Sequence, residues 1–183
     1  ELMAIKTMSA STGGGSKYSE GWHDAVISKA EYGEWNGKNF LEVWFEGYGQ
    51  YQTMKVWEII SKEDNQEFAM ARVFKYAQAG IISVLDDPTG KRPIIQYDDN
   101  PEGLVGKSVA IRLYPDPKKP QYNRISADCA PVPGKYEHMT FTEDAVNGIK
   151  AGADKRLEKF LARTPKVTVP VNETMAQDAE IPY

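Results

Sequence analysis

Residues 39–47, NFLEVWFEG, alternate without a break: Leu41, Val43 and Phe45 share one side, and Phe40, Glu42, Trp44 and Glu46 share the other. A period of two over this length is a half-buried strand, apolar toward a core and mixed on its other face. Just ahead stands EWNGKN, whose Asn36-Gly37 pair suits the left-handed residues of a tight hairpin turn. The shorter, partly alternating WHDAVISKA (22–30) is therefore predicted to be the partner strand. After the turn-like GYGQ, YQTMKVW (51–57) predicts a third strand, with Met54 and Val56 inward and Tyr51, Thr53 and Lys55 outward.

The period then changes. In SKEDNQEFAMARVFKYAQAGI (61–81), Met70, Val73, Phe74, Ala77 and Ile81 recur at helical spacing, Ser61 or Asp64 can cap the start, and Gly80 stands ready to end it. Turn clusters DDPTGKRP and YDDNPEG flank a short IIQY. SVAIRLY (108–114) predicts a strand with Val109, Ile111 and Leu113 inward and Ala110, Arg112 and Tyr114 outward. Beyond the PDPKKP loop, QYNRISAD (121–128) predicts another, with Ile125 and Ala127 inward and Tyr122, Arg124 and Ser126 outward. TEDAVNGIKAGADKRLEKFLAR (142–163) predicts a helix, weakened by Gly148 and Gly152 and stopped by Pro165. About five strands with one helix after the third predict a mainly β fold: a five-stranded barrel of the OB type with an inserted central helix, a C-terminal helix and a tail. A β-sandwich or a lipocalin-like barrel gives no reason for the central helix.

The expected organisation is a flexible arm over residues 1–17 carrying SASTGGGS, with residues 1–2 as a cloning remnant, then the barrel over 18–133. A helical extension over 134–164 and an acidic tail over 165–183 follow. The 183 residues, 41% of them hydrophobic, suffice for one core with such extensions. The single cysteine, Cys129, cannot form an internal disulfide and points to a reducing compartment. No apolar run is long enough for a membrane span.

Catalytic patterns are missing. GLVGKS (103–108) lacks the leading glycine of a phosphate loop, Pro101 standing in its place. Gly47-Tyr48-Gly49 starts a dinucleotide fingerprint that Gln52 does not complete. His23 and His138 have no second ligand at helical spacing, so no metal is expected, nor any other cofactor. Asp86-Asp87, Asp98-Asp99 and Glu143-Asp144 read as turn and helix-start residues. Asn172-Glu173-Thr174 fits a glycosylation acceptor only by chance. The chain is not expected to be an enzyme.

What remains is aromatic and basic. Outward positions collect Phe40, Trp44, Tyr51, Lys55, Arg112, Tyr114, Tyr122 and Arg124, and Lys118 and Lys119 sit in the adjoining loop. Aromatics beside Lys and Arg offer stacking platforms next to phosphate partners, a surface suited to single-stranded nucleic acid of any sequence. Glu42 and Glu46 make it less than uniformly attractive. The net charge of −4 does not forbid this, because where the charge sits matters more than its sum. From residue 165 onward Lys166 alone opposes Glu173, Asp178 and Glu180.

The succession GWHDAVI, FLEVWFEG, a central helix, PEGLVGKSVAIRLYPD and YNRISADCAPVP resembles the single-stranded DNA-binding proteins of tailed bacteriophages, over roughly residues 18–133. That resemblance implies an OB barrel that coats single strands during phage replication or recombination, in the cytoplasm of the infected bacterium. The closing DAEIPY is similar to the acidic Ile-Pro-Phe tip of bacterial single-stranded DNA-binding proteins, with tyrosine for phenylalanine and fewer acids. It implies that Asp178, Glu180, Ile181, Pro182 and Tyr183 dock on replication or repair enzymes. The other reading of the same residues is a non-catalytic domain of a virion or assembly complex, without nucleic acid.

Overall fold

In a computed structural model, residues 17–90 and 92–165 are described; the N-terminal arm up to residue 16 and the tail residues Asp178, Glu180, Ile181, Pro182 and Tyr183 lie outside them. Five antiparallel strands form the main sheet, β1 (Gly21–Trp35), β2 (Lys38–Phe45), β3 (Met54–Trp57), β6 (Ser108–Pro115) and β7 (Asn123–Ala130), in the order β3-β2-β1-β6-β7. Helix α1 (Ala69–Ala77) follows β3. A two-stranded sheet, β4 (Ile81–Leu85) and β5 (Ile94–Tyr97), comes next, and a single 3-10 turn at Pro101–Leu104 precedes β6. Past β7, a short pair β8 (Gly134–Lys135) and β9 (Thr140–Phe141) leads into α2 (Glu143–Arg163).

The long first strand organises everything. Residues 21–26 of β1 pair with β6, and residues 27–35 pair with β2. The ladder with β2 slips between Ile27 and Lys29, where β1 carries one extra residue. A bulge of this kind bends and twists its strand, which lets one strand serve two partners whose directions differ. It also shifts the inward parity from Ala25 and Ile27 to Ala30, and so explains why WHDAVISKA alternates only in part. Ile27, Leu41, Val43, Met54, Val109, Ile111 and Leu113 are buried in the core, with Val73 and Phe74 of α1 among them.

The expected inward positions of β2 and β3 hold. Elsewhere the structure corrects the reading. The two edges of the sheet, β3 and β7, lie against each other, but no ladder closes them into a barrel among the described residues. Just before the four-residue β3, Gln52 Nε2 donates to the Asn123 carbonyl at 3.3 Å, a hydrogen bond from one edge to the other. Helix α1 begins at Ala69, not at Ser61. The Ser61 and Asp64 side chains accept from Glu63 N–H and Gln66 N–H in local turns, and the cap is the Glu67 carboxylate. It accepts from the N–H groups of Ala69, Met70 and Ala71, an anion on the positive end of the helix. Gln78 and Gly80, both at positive φ, end α1 and release Ile81 into β4.

Tyr114 and Ala110, read as outward, are buried, as is Ser126, while Ala127 is exposed. The β6–β7 ladder slips between Ile111 and Leu113, which defeats simple alternation on β7. The expected second helix is present as α2. Thr142 Oγ1 caps it by accepting from Ala145 N–H, Val146, Ala153 and Leu157 are buried, and the helix lies against β7. Among the described residues no helix is long and apolar enough to cross a membrane.

Candidate nucleic-acid interface

The Asn36-Gly37 turn has φ of 53° and 76°, the left-handed pair of a two-residue hairpin. It sets the register in which Lys29 faces Trp44, Glu31 faces Glu42, Gly33 faces Phe40 and Trp35 faces Lys38. Across the next ladder Phe40 faces Trp57 and Glu42 faces Lys55. Directly opposed residues project on the same side of a sheet. Since Leu41, Val43, Met54 and Val56 fill the core, this second set forms the outer face of β1, β2 and β3.

That face carries a row of rings and cations. Trp35 and Trp57 meet edge to face at 6.2 Å between centroids, and Trp57 meets Phe40 at 5.0 Å. The Lys55 amine stands 4.5 Å from the Phe40 centroid, and the Lys29 amine 4.6 Å from that of Trp44. Phe40 lies over Gly33 so closely that a Cβ there would overlap the ring. Trp35 is 68% exposed. Two acids on the face are engaged: Glu42 accepts from Thr53 Oγ1 at 2.7 Å and pairs with Lys55 at 3.9 Å, and Glu31 pairs with Lys29 at 2.9 Å. Exposed pairs like Lys29–Glu31 contribute little, so such a lysine can exchange its carboxylate for a phosphate at small cost.

The row continues into two loops. Trp44 Nε1 donates to the Gln50 carbonyl at 3.1 Å and so fixes the β2–β3 loop, on which Tyr51 is 91% exposed. The Gln52–Asn123 bond ties that loop to the start of β7, beside exposed Tyr122 and Arg124. In the β6–β7 loop Asp116 accepts from Lys118 N–H at 2.8 Å and stands 3.7 Å from Arg124, while Lys118 and Lys119 are exposed. Phe40, Trp44 and Lys55 thus share one face, and Tyr51, Lys118, Lys119, Tyr122 and Arg124 gather on the loops joined at its end.

Two of the expected residues stand elsewhere. Arg112 projects from the outer face of β6, where its Nε donates to Asp154 of α2 at 2.9 Å and its Nη2 lies 3.6 Å from Glu20. The same Asp154 accepts from Trp22 Nε1 at 3.2 Å. Tyr114 is buried, and burial is the main cause that pushes its phenol above the usual range. Sequence reasoning missed Trp35 and Trp57. Both could be found by carrying parity one step further: Trp57 has the parity of Lys55, and Trp35 is the last residue before the Asn-Gly turn.

Arg72 and Arg156 converge on Asp128, at 3.1 Å and 2.8 Å, beside a cavity of about 380 Å³ lined by Val56, Trp57, Ile59 and Phe68. These guanidinium groups are committed to an ion pair that holds α1 and α2 to β7. Neither a scan against protein-family models nor a search of curated proteins finds a match to this chain.

Proposed function

We propose that this protein binds single-stranded DNA without sequence preference, by stacking bases on the outer face of β1–β3 and holding phosphates with the lysines and arginine around it. The observation that carries the reading is the row Trp35–Trp57–Phe40, with Lys55 over Phe40 and, further along the same face, Lys29 over Trp44. Every base has a π-face, so a row of rings accepts any sequence, at roughly 1–3 kcal/mol per stacked base. Unpaired bases are needed for this, which sets the preference for single strands.

The fold reading is an OB barrel whose edges are not fully laced. In its support stand a long first strand shared by two partners, a helix directly after the third strand, and edges β3 and β7 side by side. OB-folds bind oligonucleotides across strands 2 and 3, between the loop after the first strand and the loop joining the last two. The corresponding places here are the β1–β2 turn beside Trp35 and the β6–β7 loop with Lys118, Lys119 and Tyr122. On this reading the protein is a phage-type, non-enzymatic coat for single strands in replication or recombination, acting in the host cytoplasm. Its DAEIPY tip recruits a replication or repair enzyme. Tyr183→Ala should then abolish capture of that enzyme while leaving DNA affinity unchanged, because it removes an anchor and no charge.

Competition by fluorescence anisotropy tests the binding directly. A labelled unstructured 30-mer should be displaced by the same strand unlabelled and resist a blunt duplex of equal length. Equal displacement by both would reject the stacking reading.

A further inference from the structure

The β4–β5 hairpin stands apart from the main sheet and has only two strands. Such a pair is marginal by itself, and its outer edges carry unpaired backbone groups. Ile82, Leu85 and Ile94 on it are 64%, 48% and 47% exposed. One anchor on the body is the Tyr97 ring, 5.3 Å from Phe74 of α1.

Asp98 N–H donates to the Gly80 carbonyl at 2.8 Å, inside the hairpin. Donors alternate along a strand, so the N–H groups of Ile95 and Tyr97 point to the open edge. Pro93, which has no N–H, falls on that same edge, where it breaks no bond within the hairpin. No other strand pairs with this edge among the described residues.

The side chains along the edge are complementary to themselves. Reading from residue 92, the order is Arg, Pro, Ile, Ile, Gln, Tyr, Asp: a cation at one end, an anion at the other, apolar residues between. Turned end for end about Ile95, the strand sets Ile95 against Ile95 of a second copy, Ile94 against Gln96, and Arg92 against Asp98. Arg92 has no carboxylate partner of its own among the described residues. Charges of both signs surround it: after burial, the charges of Arg72 and Arg92 help hold the Lys75 amine below its usual range, and Glu63, Glu67 and Asp87 line the same hollow. The β4 edge offers no such match, having Asp86 and Asp87 at one end and no base at the other.

We propose that β5 is a homodimerisation edge, at which two copies pair antiparallel about Ile95 into a four-stranded sheet β4-β5-β5-β4 locked by two Arg92–Asp98 pairs. The pairing gives Ile95 N–H and C=O reciprocal partners and lets Tyr97 N–H donate to the Pro93 carbonyl of the other copy. It is isologous and closes on itself, so it yields dimers and not fibres. A strand edge of this length falls short of the roughly 1,000 Å² of a stable interface, so the dimer is reversible and forms at micromolar concentrations and above.

Sedimentation of the full chain over a concentration series tests this, together with a register test by cysteine pairing. Arg92→Glu should weaken the dimer about tenfold or more by setting like charges opposite each other twice, and Arg92→Glu with Asp98→Arg should restore it. Cα atoms in paired strands stand about 4.5–5.5 Å apart, within disulfide reach. Under mild oxidation a mixture of Ile94→Cys and Gln96→Cys chains should therefore cross-link far more than either chain alone, and the native Cys129 is buried and does not interfere. Both positions are exposed, so these variants keep the fold. A monomer up to several hundred micromolar would overturn the proposal. So would a dimer indifferent to Arg92→Glu in which the mixed pair cross-links no better than the single chains.

Discussion

The outer surface of the main sheet has two halves built from the same residue types. On β1–β3 stand Trp35, Phe40, Trp44 and Trp57 with Lys29 and Lys55; on the β1–β6 side stand Trp22 and Arg112. The first half is the more open, with Trp35 exposed and Phe40, Trp44 and Trp57 half-buried. The second lies beneath α2, whose Asp154 accepts from both the Trp22 indole and the Arg112 guanidinium. An arginine with a side chain 18% exposed and two acidic neighbours has its charge already spent inside the protein. Alternation in a strand tells which side a residue faces, but not whether another element covers that side. Cover is what separates the two halves here.

Removing the rings of the open half should have the largest effect. Trp57→Ala or Trp35→Ala should each weaken single-strand binding about tenfold, and the two together about a hundredfold, if each supplies a stacking platform of roughly 1–3 kcal/mol. Melting temperature should move little for Trp35→Ala, which is mostly exposed. The matched change in the covered half is Arg112→Ala. It should leave DNA affinity within about twofold while lowering stability by about 1 kcal/mol, since Asp154 loses its charged donor at a partly screened site. For a chain of this size that is about 2–4 °C in thermal melting. Affinity loss on Arg112→Ala with melting unchanged would erase the distinction between the halves.

A subtler test leaves every ring in place. Gly33→Ala puts a methyl group where Phe40 lies, so the ring must lift or turn. Affinity should fall by about threefold to tenfold, less than for Trp57→Ala, with secondary structure by circular dichroism preserved. Smaller again is the effect of the loop. Lys118→Ala with Lys119→Ala should lower the slope of log affinity against log salt by about 0.7 for each phosphate no longer neutralised, and weaken all base compositions alike.

How far the sequence carried these features depends on how local they are. The β1–β2 hairpin, the inward faces of β2 and β3, and α2 from Thr142 to Pro165 were legible because a turn pair, a period or a cap sits within a few residues of what it determines. Arg112 could not be placed, because its partner Asp154 is 42 residues away on an element whose docking no local pattern reports. Helix α1 starts later than its pattern suggests because Ser61 and Asp64 look like caps but serve turns of their own. The cap, Glu67, is a residue type not usually sought at that place. Strand β4 is hidden in the sequence, since IISVL follows a glycine that reads equally well as the end of a helix. On β7 the ladder slip puts Ser126 inside and Ala127 outside, against strict alternation.

A separate effect, on stability and not on binding, lies in the core beneath both halves. Burial pushes the Cys129 thiol from 9.0 up to about 12. The fold therefore keeps the protonated form, a contribution present in full below pH 9 and lost as the pH rises from there toward 12. Melting temperature should fall over that alkaline range, and Cys129→Ala should fall less steeply. Native protein should also resist thiol reagents at neutral pH.

The central claim, that the open half stacks unpaired bases, is tested most directly by titrating intrinsic tryptophan fluorescence with poly-dT at two salt concentrations, for the natural chain and for Trp35→Ala with Trp57→Ala. Saturable quenching that weakens as salt rises, and that largely disappears in the double variant at concentrations saturating the natural chain, is the predicted result. Undiminished quenching in the double variant, or none in the natural chain, would contradict it.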